Sequence, residues 1–276
     1  MREKTGHIPG QRGLMLFYRV WEPEESRGSF VLVHGMNEHS GRYHHVAEHL
    51  GAHGFTVYAL DHRGHGQSEG VRCHVDRFDD YLADLHLLVD MAANQGKPIM
   101  LGHSLGGLIA FRYAVAHQDR LQALVLSSPF FRSQVKVSPV QAALLPLIVR
   151  LAPRLAMPAN LGSENVCRDP EIVKAYTTDP MVGTTATPRW YLECTRAGRE
   201  SPELAASLQI PSLVLQAGAD RLVDPAATEE VYAKIGSERK AYRRYQGMYH
   251  EILNDPEKAT VLADLSDWLQ QEGLLP

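Results

Sequence analysis

Apolar residues along this chain fall into two patterns that take turns. Short unbroken apolar runs occur at 30–33, 56–60, 98–101, 124–126 and 212–215, rich in valine, leucine and isoleucine, as expected of strands covered on both faces. Between them, 43–53, 78–93, 105–117 and 226–235 space their apolar residues three and four apart, the signature of helices with one buried face. Residues 14–21 read as a further strand ahead of the series, and 242–245 as one after it. The alternation predicts an α/β fold: a mostly parallel central sheet flanked by helices. It stops after Ser127-Ser-Pro129 and resumes at Ile210-Pro211. The intervening stretch of roughly 80 residues is too long for a structureless loop, so an inserted helical cap is expected over 130–207, with the core at 1–129 and 208–276. Inside it, 140–149 and 151–157 are apolar around only Arg150 and Arg154. A helix there has more apolar face than one core seam uses, which points to contact with lipid through residues such as Leu147 and Ile148.

Composition narrows the class. The 276 residues, 44% hydrophobic and 22% charged, can bury a sizeable core. The 28 basic against 32 acidic residues leave a net charge of −4 with no long run of one sign, so no nucleic-acid partner is expected. Cys73, Cys167 and Cys194 are far apart and show no metal-binding spacing, which suggests neither a disulfide framework nor a zinc site. The polar opening Met1-Arg-Glu-Lys-Thr-Gly-His7 lacks the apolar region of a secretory signal, and no apolar run approaches the ~20 residues of a membrane span. A cytoplasmic protein, at most peripheral to a membrane, is expected.

The chemistry is concentrated at Gly102-His-Ser-Leu-Gly106, between a predicted strand and a predicted helix. In that context G-x-S-x-G is a nucleophile elbow: small residues allow a sharp turn, and the helix behind Ser104 favours developing negative charge. A serine hydroxyl needs a histidine to take its proton, and the histidine needs a carboxylate to orient it. In this architecture the acid follows a late strand and the histidine follows the last one. Asp220, in Gly218-Ala-Asp-Arg-Leu222, and His250, in Tyr249-His-Glu251, meet those conditions. Asp224 is a rival acid, but Asp224-Pro225 before a helical pattern reads as a helix cap. Two backbone donors should face the oxyanion, the N–H of Leu105 and, from the loop His34-Gly-Met-Asn37, that of Met36.

These segments, together with His34-Gly-Met-Asn-Glu-His-Ser-Gly-Arg-Tyr43, Asp61-His-Arg-Gly-His-Gly-Gln-Ser68 and Tyr176-Thr-Thr-Asp-Pro180, resemble the α/β-hydrolases of the monoacylglycerol lipase and lysophospholipase group, the serine-aminopeptidase-like hydrolases. The resemblance runs almost end to end. It implies Ser104, Asp220 and His250 as a catalytic triad, Met36 and Leu105 as oxyanion donors, and a mobile helical cap over an acyl tunnel. Met36 stands where the family usually has a small residue, and Asn37 replaces a common glycine, so acyl-length preference does not carry over from relatives.

The expected reaction is hydrolysis of a small lipid ester, a monoacylglycerol first, with lysophospholipids and short-chain esters behind it, and with no cofactor. Glu38 and Arg42 lie where a substrate alcohol could be met, or form a surface ion pair. Cys194 reads as a buried small hydrophobe or as a thiol beside the pocket. Proline iminopeptidase action would need an acidic cap residue such as Glu164, Glu171, Glu193 or Glu200 for the substrate amine. A non-catalytic ligand-binding relative is the alternative outside enzymes. His45-Val-Ala-Glu-His49 has a zinc-peptidase spacing, but it falls where the first sheet-packing helix belongs, and no metal is expected there or in Asp61-His-Arg-Gly-His65.

Overall fold

The computed structural model describes residues 1–135, 138–159 and 161–275. In chain order its elements are β1 (Arg2–Pro9), β2 (Met15–Glu22), β3 (Gly28–Val33), α1 (His44–Ala52), β4 (Phe55–Leu60), α2 (Asp79–Ala92), β5 (Ile99–His103), α3 (Leu105–His117), β6 (Ala123–Ser127), α4 (Pro139–Leu151), β7 (Met157–Pro158), α5 (Pro170–Thr178), β8 (Thr185–Ala186), α6 (Pro188–Leu204), β9 (Ser212–Ala217), α7 (Pro225–Lys234), β10 (Lys240–Tyr245) and α8 (Lys258–Gln271).

Eight strands form one sheet in the order β1-β2-β4-β3-β5-β6-β9-β10. β1 and β2 join antiparallel, and every pairing from β4 to β10 is parallel. The five apolar runs are the strands β3, β4, β5, β6 and β9, their sequences buried on both faces as expected. One face is covered by α2, α3, α6 and α7, whose Leu85, Leu108, Trp190 and Val231 join one core cluster. The other is covered by α1 and α8 through Val46, Leu50, Val261 and Leu265. β1 is an addition to the expected pattern. Its sequence, REKTGHIP, has almost no apolar content because it is an outer strand with exposed side chains, held by its backbone pairing to β2.

The chain leaves β3 for the outer β4 and returns to β5, so β3 and β5 are neighbours whose following connections diverge. Their carboxyl ends, Val33 beside Gly102, make the switch point at which open α/β sheets bind ligands.

Between β6 and β9 lie α4, α5, α6 and the short antiparallel pair β7–β8. This insert is tied to the core by backbone bonds: Gly183 N–H to Asn37 (2.9 Å), Thr187 N–H to Cys73 (3.1 Å) and Glu251 N–H to Val166 (2.8 Å). α6 itself buries Trp190, Cys194 and Ala197 against the core.

Candidate active site

Ser104 sits between β5 and α3 at φ 54°, ψ −119°, a conformation that L-residues avoid. The two flanking glycines are dictated by space. A Cβ on Gly106 would lie 2.0 Å from the Val33 carbonyl oxygen, and one on Gly102 would lie 2.3 Å from that of Gly106. Ser104 N–H donates to Ser127 (3.0 Å), and its carbonyl accepts from Leu108 (3.1 Å) and Phe130 (2.9 Å), which hold the strained turn in place. The N-terminus of α3 begins directly after Ser104.

The loops after β9 and β10 bring two partners to it. His250 Nε2 is 2.8 Å from Ser104 Oγ, and His250 Nδ1 is 2.7 Å from Asp220 Oδ2. With Nδ1–H donating to the carboxylate, Nε2 is left to accept the serine proton. The other oxygen of Asp220 accepts the N–H groups of Leu222 and Val223, each at 2.9 Å. Burial alone would raise the Asp220 pKa, but His250 and these two N–H groups bring it below the ordinary carboxylate value. Burial likewise lowers that of His250, but Asp220 first of all, with Glu251 and Glu38 behind it, more than reverses this, so the imidazole pKa ends above its ordinary value. Asp224, the rival acid, caps α7 through Ala226 N–H at 2.9 Å and pairs with Arg132.

Met36 follows β3 and Leu105 opens α3, and neither N–H donates to any backbone carbonyl of the described residues. Asn37 adopts φ 58°, the conformation that a glycine would enter without strain.

The chain matches a family model, Serine aminopeptidase, S33, over residues 24–257. That match spans most of the chain. The protein belongs to the S33 serine aminopeptidase family of α/β-hydrolases. It is 41% identical over 265 residues to a monoacylglycerol lipase of Mycolicibacterium smegmatis, covering 94% of each chain. It is 30% identical to the phospholipase YtpA of Bacillus subtilis, covering 88% of this chain and 95% of that one. The crystal structure of the Paleococcus ferrophilus monoacylglycerol lipase superposes with a TM-score of 0.86 at 31% identity, covering 92% of this chain and 98% of that one.

In this S33 family member, Glu38 and Arg42 pair with each other, one of the two arrangements expected of them. Glu38 is buried and Arg42 partly so, and Glu38 accepts from Gly35 N–H, Tyr43 Oη and Arg42. Arg42 also forms a bidentate pair with Glu251, at 2.7 Å for each bond. They do form an ion pair with each other, but a largely enclosed one that Arg42 shares with Glu251 and not a pair on the surface. Glu251 was not singled out from sequence. Its partner is far away in the chain, and its only signal there is adjacency to His250.

The remaining candidates scatter. Cys194 is buried in the core packing, and burial pushes its thiol pKa well above the ordinary value, so it is a packing residue and not a reactive thiolate beside the pocket. Leu147 is half exposed on α4, and Ile148 beside it is partly buried. Neither lines the cavity of about 210 Å³ beside Asn37, His65 and Arg72, nor that of about 450 Å³ between α6 and α7. His45 and His49 lie on α1 and bond the Leu253 carbonyl and Ser266 Oγ.

Proposed function

We propose that the protein is a monoacylglycerol lipase, a serine carboxylic-ester hydrolase that releases a fatty acid and glycerol through an acyl-enzyme. The observation that carries the reaction class is the unbroken series Ser104 Oγ–His250–Asp220, at 2.8 and 2.7 Å. The substrate class rests on the likeness to the mycobacterial monoacylglycerol lipase.

In this reading Ser104 Oγ attacks the ester carbonyl carbon as His250 Nε2 takes its proton. The carbonyl oxygen becomes an oxyanion facing the N–H groups of Met36 and Leu105. Collapse breaks the bond to the glycerol oxygen, which leaves with the proton from His250. Water, deprotonated by His250 in turn, then attacks the acyl-serine, and collapse frees the fatty acid as His250 returns that proton to Ser104 Oγ. Asp220 keeps the imidazole in the required tautomer and stabilises its charged form.

The insert between β6 and β9 acts as the cap over the acyl chain. Its outer surface exposes Val135, Leu144, Leu147, Leu151, Leu155 and Met157, a concentration of apolar side chains suited to resting on a lipid surface. No helix among the described residues is long and apolar enough to cross a membrane, so this contact would be peripheral. The aminopeptidase alternative finds less support. Of the acidic residues it would call on, Glu193 is buried, accepts from Phe78 N–H and pairs with Arg189 and Arg196, which leaves it no place for an amine, and Glu200 pairs with Arg112 at the surface.

The test is fatty acid release from monooleoylglycerol by the wild type and Ser104→Ala, beside a lysophospholipid, a proline naphthylamide and a short-chain nitrophenyl ester. Preferred turnover of the monoacylglycerol, abolished in a folded Ser104→Ala variant, is expected. Preference for the lysophospholipid or the amide would replace the substrate and keep the nucleophile.

A further inference from the structure

Beside His250, a largely buried cluster of charge joins two loops that the reaction needs in register. We propose that Glu251 is a positioning residue of the ester hydrolysis: through Arg42 it locks the loop carrying His250 to the loop carrying the Met36 N–H. This role rests on the lipase reading given above.

The connection can be followed atom by atom. Glu251 directly follows His250, and its two oxygens take Arg42 Nη1 and Nη2. Arg42 Nη1 also donates to Glu38 Oε2 at 2.7 Å. Glu38 Oε1 accepts Gly35 N–H at 2.5 Å, and Gly35 directly precedes Met36. The fit at Gly35 is tight, since a Cβ there would lie 2.7 Å from Glu38 Oε1 and 3.2 Å from Ser104 Cβ. Asn254 Nδ2 donates to Glu251 Oε2 at 2.9 Å, and the ring of Tyr176 on α5 lies 4.8 Å from the Arg42 guanidinium carbon, covering it from the insert side.

Stability alone is a poor reason for such a cluster. Burying three ionised groups carries a large desolvation cost, and well-packed apolar side chains would often do as well or better. Glu251 and Glu38 both act on the catalytic imidazole to favour its charged form, although burial raises the pKa of the Glu38 carboxyl itself. The titratable and charged groups facing His250 are Asp220, His103 at 4.8 Å between ring centres, Glu251 and Glu38, with Arg42 between the last two. His103 is neutral, its pKa lowered by burial and by His250 to about 3. Burial raises the Glu251 pKa, but the bidentate Arg42 overrides it and brings the carboxyl down to about 2. Glu251 thus stays charged throughout the working range and favours the protonated form of His250.

The experiment compares wild type, Glu251→Gln and Glu251→Asp in kcat, KM and the pH profile of kcat/KM on a soluble ester. Glu251→Gln keeps the size of the side chain. Its kcat should fall by about tenfold to hundredfold with KM little changed, as expected when reacting groups are misplaced without loss of substrate contacts. Its acid limb should move to lower pH, because removing a negative charge lowers the His250 pKa. Glu251→Asp keeps the charge one methylene short, so kcat should fall with the acid limb in place. Wild-type kcat and an unmoved acid limb in Glu251→Gln would overturn the role. Should that variant fail to fold by circular dichroism, wild-type kcat in Glu251→Asp overturns it instead. A wild type inert toward every ester would remove the hydrolase reading and this role together, whereas an active wild type matched by its variants removes the role alone.

Discussion

Ser104 occupies a backbone conformation that costs on the order of 1–3 kcal/mol, and it persists because β5, α3 and the Phe130 N–H over-determine it. The same residue was accessible from sequence, since the glycines at 102 and 106 report a turn with no room for side chains. Asp220 and His250 were accessible only through their place after late strands, because nothing in their immediate neighbours separates them from other aspartates and histidines. Asp220 orients His250 and raises its pKa, so the acid limb of kcat/KM should lie above the ordinary histidine value near 6.5. In Asp220→Asn, kcat should fall by on the order of 10⁴ with the fold retained, and the acid limb should shift downward. Stopped assays across pH on both proteins check this; an unmoved limb would show that Asp220 does not govern the base.

α4 shows how far an amphipathic pattern can be read and where it stops. The surplus of apolar residues predicts that a face is left over, and the structure leaves Leu144, Leu147 and Leu151 exposed there while Val149 is buried. In Leu147→Asp combined with Leu151→Asp, co-sedimentation with liposomes should drop several-fold, because charged groups on that face oppose insertion below the headgroups. Hydrolysis of a soluble nitrophenyl ester should be unchanged. Equal sedimentation of variant and wild type would mean that this face is not the lipid contact. β1 is the opposite case, a polar strand with no hydrophobic signature, made a strand by the free edge of β2.

Across the whole molecule, the carboxyl ends of β3, β5, β9 and β10 gather the loops of the site, and a layer of buried histidines lies beneath them. His34 accepts the His62 N–H through Nε2 at 2.9 Å, a bond that requires the neutral ring. Burial and neighbouring histidines push its pKa well below the ordinary value, while burial first of all brings His62 to about 3 and His65 to about 4. In the unfolded chain these groups take up protons near pH 6.5, whereas in the folded chain His62 and His65 do so only at about 3 and 4, and His34 is shifted in the same direction. The unfolded state then binds more protons across that window, so stability should fall steadily as pH drops from about 6.5 toward 4. His250 acts in the opposite sense, its raised pKa adding stability below the ordinary value, but it is one group against several. Thermal unfolding followed from pH 7.5 to 4.5 checks this; a Tm that stays level over that range would contradict it.

The sequence by itself determined the layers and the chemistry. Periodicity specifies which faces are buried, and the glycine spacing specifies a turn that only a nucleophile elbow makes useful, because both depend on near neighbours in the chain. The tertiary structure decided the rest. Whether Glu38 and Arg42 face a substrate, a solvent or each other depends on Glu251, which reaches Arg42 across 209 positions. No local pattern encodes such a pairing, since a long-range ion pair exists only after the sheet has brought its two loops together.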